Sequence, residues 1–509
     1  MSKWKIAWRS IQQRGLASTL TVLSMALGVM LVVAVISIHG LVEQSFRNNS
    51  SLGYNMIVGA TKGGRLQLVL NTVYYLSQPV ENIPYSYFQE FLSAEEIEAY
   101  RRAVGTEELG EPRDGKFRLF TKFAIPICMG DYFGQFRVIG TTPQLFDGFV
   151  YDLANGKTYE FDAGRNFKTY SEESGYFEAV VGAKVAREKL LEVGHKISAT
   201  HGDPEGDLHD EHPFTVVGIL KSTGTPVDRG VFVNIEGFYL MDGHAKPVAE
   251  DPRDVPARPP VPLSVRPTPA WDEPGDQLAA DTARNYKPLT VSEREVTAIL
   301  LKTVNQVVTP GLMNTINEGN VAQAALPVSV IYGLFTTIVG PIQQVLLGLT
   351  IMICVVSGVS ILVSIYNSMS DRQHEIAVMR ALGAGRGTVM AVVLFEAIML
   401  SLGGGLIGFL AGHSLIGMAG PTIEANTGVA IGFLDFPSTK VDEYVDVTGL
   451  INVINALLRG VGLESIQGLE VPTELWLIPG LVLLAVLVGL LPAMAAYRTD
   501  VSRSLSANP

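Results

Sequence analysis

No G-x-x-x-x-G-K-[ST] run occurs in these 509 residues, so the chain lacks the loop with which P-loop proteins cradle nucleotide phosphates. G-x-S-x-G, H-E-x-x-H and C-x-x-C are missing too, which removes the nucleophile elbow, the zincin helix and the dithiol redox motif. An enzymatic reading has no motif to stand on. Cysteine is almost absent. Cys128 falls in a polar stretch and Cys354 in an apolar one, which argues against an intrachain disulfide and leaves the redox compartment undetermined. The net charge of −12 offers no basic field for a nucleic acid, and no nucleic-acid partner is expected.

What is present is apolar surface. The chain is 47% hydrophobic with a positive mean hydropathy of +0.27, yet it carries a long polar middle, and its length exceeds one domain's worth. Four segments are long and apolar enough to cross a bilayer: 16–38, 345–366, 389–412 and 475–497. Flanking charge orients them. Lys3, Lys5, Arg9, Arg14, Arg372, Arg380, Arg386, Arg498 and Arg503 face three acids, Asp371, Glu375 and Asp500, so this side is net basic. It is read as the cytoplasmic side, with both termini on it and residues 39–340 across the membrane. The first segment is too long and too evenly apolar for a cleaved signal peptide and reads as a retained anchor.

Along the chain, residues 1–15 place Trp4, Trp8 and Ile11 at helical spacing among basic residues, as in a cytoplasmic interfacial helix. Ser24 and Gly28 allow close helix packing in the first span. Strands are expected at Asn55–Ala60, Leu66–Leu76, Leu119–Met129, Phe136–Thr141, Glu178–Gly182, Lys196–Thr200, Pro213–Leu220, Val231–Ile235 and Glu295–Thr303. Helices are expected from the capping box Ser93/Glu96 to Val104, and over Ala183–Leu191 and Thr309–Glu318. Irregular alternation argues for an α+β domain between the first two spans. Residues 243–285 are rich in proline and acids and poor in apolar side chains, which reads as an extended insertion in that domain. Gly348 and Gly358 are expected to interrupt the second span, and 413–474 to form an outer loop. The tail is 498–509.

The stretch 367–388 is a short, charged connection between two apolar segments, ending in Ala381-Leu382-Gly383-Ala384-Gly385. No clean amphipathic stripe appears in it, so contact with another protein suits it better than lipid headgroups. An ordinary loop whose arginines set topology is the alternative. Arg372, Glu375, Ile376, Ala377, Arg380, Ala381, Leu382, Gly383, Ala384 and Glu396, with the glycines that follow, resemble the signature of the FtsX-like/MacB-like permeases of ABC systems, the mechanotransmission class that includes Lol-like relatives. The run IAWRSIQQRGLASTLTVLSMALGV resembles the family's opening. The phrases FRVIGTTPQLFD, EAVVGAKVAREKLLEVGHKI and HPFTVVGILKSTGTPVDRGVFVNI resemble the MacB-like core domain. The loop 413–474 is longer than the family's usual connection.

The resemblance implies a multi-pass permease subunit of the cell (inner) membrane, paired with a second permease copy or paralogue and sitting on an ABC ATPase subunit. It implies no cofactor in this chain, with ATP and magnesium held by the partner. It also implies an ATPase-coupling role for Asp371, Arg372, Glu375, Arg380, Ala381, Leu382, Gly383 and Ala384. Force passed to the outer domain would act on a lipophilic, lipoprotein or peptide client, in contact with membrane lipid and an outer client or adaptor protein. The alternatives are a non-transporting FtsX-like regulator of a cell-wall hydrolase and an ATP-independent scaffold or sensor.

Two further features are candidate sites. In the third span Glu396, Gly404, Gly408 and Gly412 lie on one i+4 stripe. The glycines permit close helix contact, within one subunit or across a dimer seam. Glu396 is the one charged side chain in the four spans, where an acid is costly unless paired. Its reading is a buried hydrogen-bonding role, with proton or substrate contact as the alternative. The segment HGDPEGDLHDEH offers His201, Asp203, His209 and His212 as zinc-type ligands, against a plain acidic hairpin tip.

Overall fold

A computed structural model of the chain describes residues 3–49, 53–76, 78–105, 111–153, 155–202, 204–206, 208–209, 213–241, 288–371, 378–427, 431–440 and 470–498. The helices are α1 (Lys3–Gln13), α2 (Gly15–Asn49), α3 (Gly64–Tyr74), α4 (Tyr85–Gln89), α5 (Ala94–Val104), α6 (Ala183–Lys189), α7 (Ile235–Leu240), α8 (Thr309–Asn317), α9 (Pro327–Leu334), α10 (Gly340–Asp371), α11 (Arg386–Thr427) and α12 (Leu477–Arg498). The strands are β1 (Met56–Gly59), β2 (Ile83–Pro84), β3 (Thr121–Phe133), β4 (Phe136–Thr141), β5 (Val150–Asp152), β6 (Lys157–Thr158), β7 (Phe161–Gly164), β8 (Glu178–Val181), β9 (Lys196–Ile197), β10 (Phe214–Leu220), β11 (Gly230–Asn234), β12 (Glu295–Val296), β13 (Ala298–Thr303), β14 (Gln323–Ala325), β15 (Ser438–Lys440) and β16 (Glu470–Pro472). They fall into two compact units, Met1–Phe46 with Phe335–Pro509, and Arg47–Leu334.

The second of these is globular and built on a ten-stranded sheet in the order β14-β1-β13-β3-β4-β11-β8-β10-β7, with β9 on β10. Most pairs are antiparallel, but β11 runs parallel to β4 and β8 to β10. β1, β8 and β11 are buried at every residue, which is why they read as continuous apolar runs rather than alternating ones. The capping box of α5 forms, Ser93 Oγ accepting from the Glu96 amide and Glu96 from the Ser93 amide. Cys128 is buried in the core, and burial pushes its thiol up to about 12, so it is an inert packing group.

One strand expectation fails. Leu66–Leu76 is not extended: residues 66–74 lie in α3, which begins at Gly64 after the N-cap Gly63, both with left-handed φ. Leu66, Leu68 and Leu70 mimic strand alternation, yet the buried residues are Leu68, Val69, Asn71, Thr72, Val73 and Tyr74, which contain the i, i+4 pairs Leu68/Thr72 and Val69/Val73 of a helix and break a period of two. Helix α7 and β12 flank the expected insertion, which lies outside the described residues. They are joined by a buried ion pair, Arg294 Nη1 to Glu236 Oε1 at 2.8 Å. Tyr100 donates to the same carboxylate at 2.6 Å, and the guanidinium lies over the Tyr85 and Tyr239 rings.

Among the described residues, four helices are long and apolar enough to cross a membrane. Two expectations are corrected here. α10 is continuous through Gly348 and Gly358; at Gly358 it is packed, since a Cβ there would meet Leu484 and Val488 of α12 at 3.2 Å, whereas nothing lies near Gly348. The outer loop expected from residue 413 begins as helix. α11 runs 42 residues to Thr427, about 63 Å at 1.5 Å per residue, twice the thickness of a hydrocarbon core. The run His413–Gly420 stays apolar enough to continue the third span's pattern.

Candidate functional site

The signature Ala381-Leu382-Gly383-Ala384-Gly385 closes one helical turn and opens the next helix. Gly383 has φ 97°, a left-handed position that glycine adopts without steric cost. Its amide donates to the Arg380 carbonyl at 3.0 Å, and the Ala384 amide to the Met379 carbonyl at 3.0 Å. These two bonds are the Schellman pair that satisfies the last carbonyls of a helix. Gly385 then accepts from the Thr388 amide at 2.9 Å, opening α11. Leu382 projects with 83% exposure, and Arg386 lies over the Tyr497 ring of α12 at 5.7 Å. Asp371 ends α10, while Arg372 and Glu375 lie outside the described residues.

Glu396, three turns into α11, is 1% exposed and paired. Arg14 donates to it at 2.6 Å and Ser10 Oγ at 2.9 Å. Both partners come from the N-terminal segment, whose Ala7 and Ser10 are buried while Trp4 and Trp8 stay half-exposed. Trp4 stacks on Phe395, ring centroids 4.8 Å apart. The N-terminal segment is thus bonded to the helix that begins at the capped turn. Arg14 was visible as a charge but not as this acid's partner. The available signal was that the one acid in the spans needs a cation.

The glycine stripe faces the first long helix of the same chain. A Cβ at Gly404 would sit 2.7 Å from Met25 Cβ, at Gly408 2.4 Å from the Ala26 carbonyl, and at Gly412 2.9 Å from Val33. Ser24 and Gly28, on α2, meet α10: Ser24 Oγ lies 3.2 Å from Ser357 Oγ, and a Cβ at Gly28 would touch Cys354 and Ile353. Farther along α11, His413 Nε2 lies 2.7 Å from Glu474, which also accepts from Ser37 of α2. All three are buried. The sequence reading passed over this cluster because Glu474 and His413 are far apart in the chain.

In the globular unit, His201 and His209 come together beside the buried Asp131 of β3; Asp203 and His212 lie outside the described residues. Asp131 carried a signal of its own, a lone acid closing the apolar run AIPICMG. Elsewhere in this unit a hollow of about 450 Å³ is lined by Phe88, Tyr100, Phe123 and Phe149, with Lys122 and Lys302 at its wall. Burial, then Lys122, lowers the Lys302 ammonium below its ordinary value.

Two known families match this chain. Residues 18–254 match the MacB-like periplasmic core domain, and residues 347–501 match the FtsX-like permease C-terminal region, which contains the capped turn and the Glu396 helix. A stretch of 94 residues is 30% identical to a Bacillus subtilis (strain 168) protein described as the uncharacterized ABC transporter permease YknZ. That match spans 18% of this chain and 22% of the relative. Together the matches support an FtsX/MacB-like ABC transporter permease. These matches and the four membrane-length helices among the described residues support a multi-pass membrane protein whose second unit is an α+β domain.

Proposed function

We propose that this permease subunit passes ATP-driven motion of a separate ATPase to an extracytoplasmic domain inserted between its first and second spans. The observation that carries the reading is the capped turn at Arg380–Gly385: a rigid, solvent-facing corner at the foot of α11, with Leu382 exposed. The Schellman cap leaves the terminal carbonyls of this helix end already bonded, so the corner offers a defined contact point to a partner. The turn faces the cytoplasm by the excess of basic residues around it. ATP and magnesium belong to the partner.

The work done is mechanical rather than passage of a polar solute. Among the described residues, the buried charged side chains of the helical unit are consumed in pairs, Glu396 by Arg14 and Glu474 by His413. Its buried hydroxyls bond one another, those acids or the backbone. A hollow in the globular unit with aromatic walls and charged groups at its rim suits a lipophilic, lipoprotein or peptide client extracted from or exported across the inner membrane by a permease dimer.

Purification of the full chain in nanodiscs is expected to bring down a P-loop ATPase. Combined Glu375→Arg and Arg380→Glu is expected to abolish that co-purification while membrane insertion stays intact. An unchanged complex would refute the coupling role.

A further inference from the structure

We propose that Asp131, His201 and His209 bind a zinc ion in the globular unit. The argument starts with backbone, not side chains. Between Met129 and Tyr132 β3 carries one residue more than its partner strand β4, whose Ile139 and Arg137 they face. Such a bulge re-aims a side chain, and Asp131 lies in it. Tyr132 then pairs with Thr200 through two main-chain bonds of 3.0 and 2.7 Å, while the His209 amide donates to the Ala199 carbonyl at 2.8 Å. Three segments are therefore pinned together by main-chain bonds that need no imidazole. His201 follows Thr200, so both histidines are carried to the carboxylate.

The spacing between them fits an ion better than direct contact. His201 Nδ1 is 3.5 Å from Asp131 Oδ1 and His209 Nε2 is 3.6 Å from Oδ2, beyond the 2.7–3.2 Å of an ordinary N–H···O bond. Around a tetrahedral zinc with bonds of about 2.1 Å, ligand atoms stand roughly 3.4 Å apart. The two rings are near perpendicular, with centroids 5.5 Å apart, and all three ligand atoms lie within 4.8 Å of one another. Two imidazoles and a carboxylate are a zinc-type donor set with a fourth position left over. His201 is half-exposed, which gives the ion an entry path.

The electrostatics are consistent. Asp131 is fully buried, where a carboxylate needs positive charge close by. Arg137, whose guanidinium sits 4.2 Å over the Tyr132 ring, interacts electrostatically with Asp131 and supplies part of it. The segment from His201 to His212 adds five acids in sequence, a field that concentrates cations.

The test uses the full chain in detergent, with its affinity tag removed and its metal stripped by chelator. Calorimetric titration with Zn²⁺ is expected to give one ion per chain, and Co²⁺ is expected to show the visible bands of a tetrahedral site. His201→Ala and His209→Ala should each weaken binding by more than about tenfold, since even outer-shell substitutions at metal sites cost that much. Asp131→Asn should remove the cobalt bands, and His195→Ala should change nothing. Absence of stoichiometric binding, or binding undiminished by both histidine variants, overturns the proposal. So does loss of binding on His212→Ala alone, which would place the ion at the acidic tip. If Asp131→Asn does not fold, the two histidine variants decide, because their segments are held by main-chain bonds.

Discussion

In the globular unit the buried Arg294–Glu236 pair sits inside an aromatic core, 2% and 1% exposed, with Tyr100 donating to the same carboxylate oxygen. In the helical unit the corresponding pair is Arg14–Glu396, and there the arginine keeps 19% of its surface. The first unit buries apolar area out of water and can tolerate a fully desolvated pair because the core holds it in place. The second gains little from hydrophobic burial between helices, since lipid is as apolar as leucine. Its contacts are instead small-residue seams, the Gly404/Gly408/Gly412 stripe on α2, and a few polar clamps linking helices that lie far apart in sequence. Charge is a consequence of a finished core in one unit and part of the assembly itself in the other.

The comparison is most exposed at Glu236. Replacement by alanine strands Arg294 in the core, and breaking a buried pair from one side costs about 3–5 kcal/mol. Hydrogen exchange on the full chain should show β11 and β13 losing protection while α11 does not. Replacing both partners with apolar residues of similar volume should restore most of the loss. A Glu236→Ala protein with unchanged exchange would erase the distinction between the units.

A glycine pair sharpens it next. Gly408→Ala forces a Cβ to within 2.4 Å of the Ala26 carbonyl, a backbone atom that cannot swing aside, and overpacking of this kind costs about 1–3 kcal/mol. Gly311→Ala, in α8 of the globular unit with nothing near its Cβ, should instead gain up to about 1 kcal/mol of helix propensity. Thermal unfolding in detergent is expected to move in opposite directions for the two variants. Movement in the same direction would mean that the α2–α11 seam is looser than its geometry.

Legibility in the sequence followed the range of the interactions. The helix stop at Gly383 could be read because a C-terminal glycine cap is local, and so could the Ser93/Glu96 capping box. Strands such as Val231–Ile235 were readable as apolar runs because they are buried on both faces. α3 was misread since its leucines alternate over the very residues whose burial follows a helical period. The partner of Glu396 stayed hidden because Ser10 and Arg14 reach it across more than 380 residues of chain. Asp131 stayed hidden for the same reason: the histidine segment advertised itself by composition, but its third group arrives through a bulge and a main-chain bridge. Short-range chemistry is written in spacing, whereas the donors that complete a site come from tertiary pairing.

The smallest effect is expected at the Arg14–Glu396 clamp. Polar contacts between membrane helices average about 0.6 kcal/mol and reach about 1.7 in double-mutant cycles, because the unfolded helices find other partners. Arg14 is already part-hydrated, so Arg14→Ala costs little beyond that coupling. Glu396→Gln keeps an acceptor for Ser10 and should fall between wild type and Glu396→Ala. A cycle over Arg14→Ala and Glu396→Ala, read by detergent-mixture unfolding, is therefore expected to give a coupling of about 1 kcal/mol. A coupling of 3 kcal/mol or more, on the scale of a desolvated core pair, would show that this clamp behaves like Arg294–Glu236 and that the environment of the two units does not separate them.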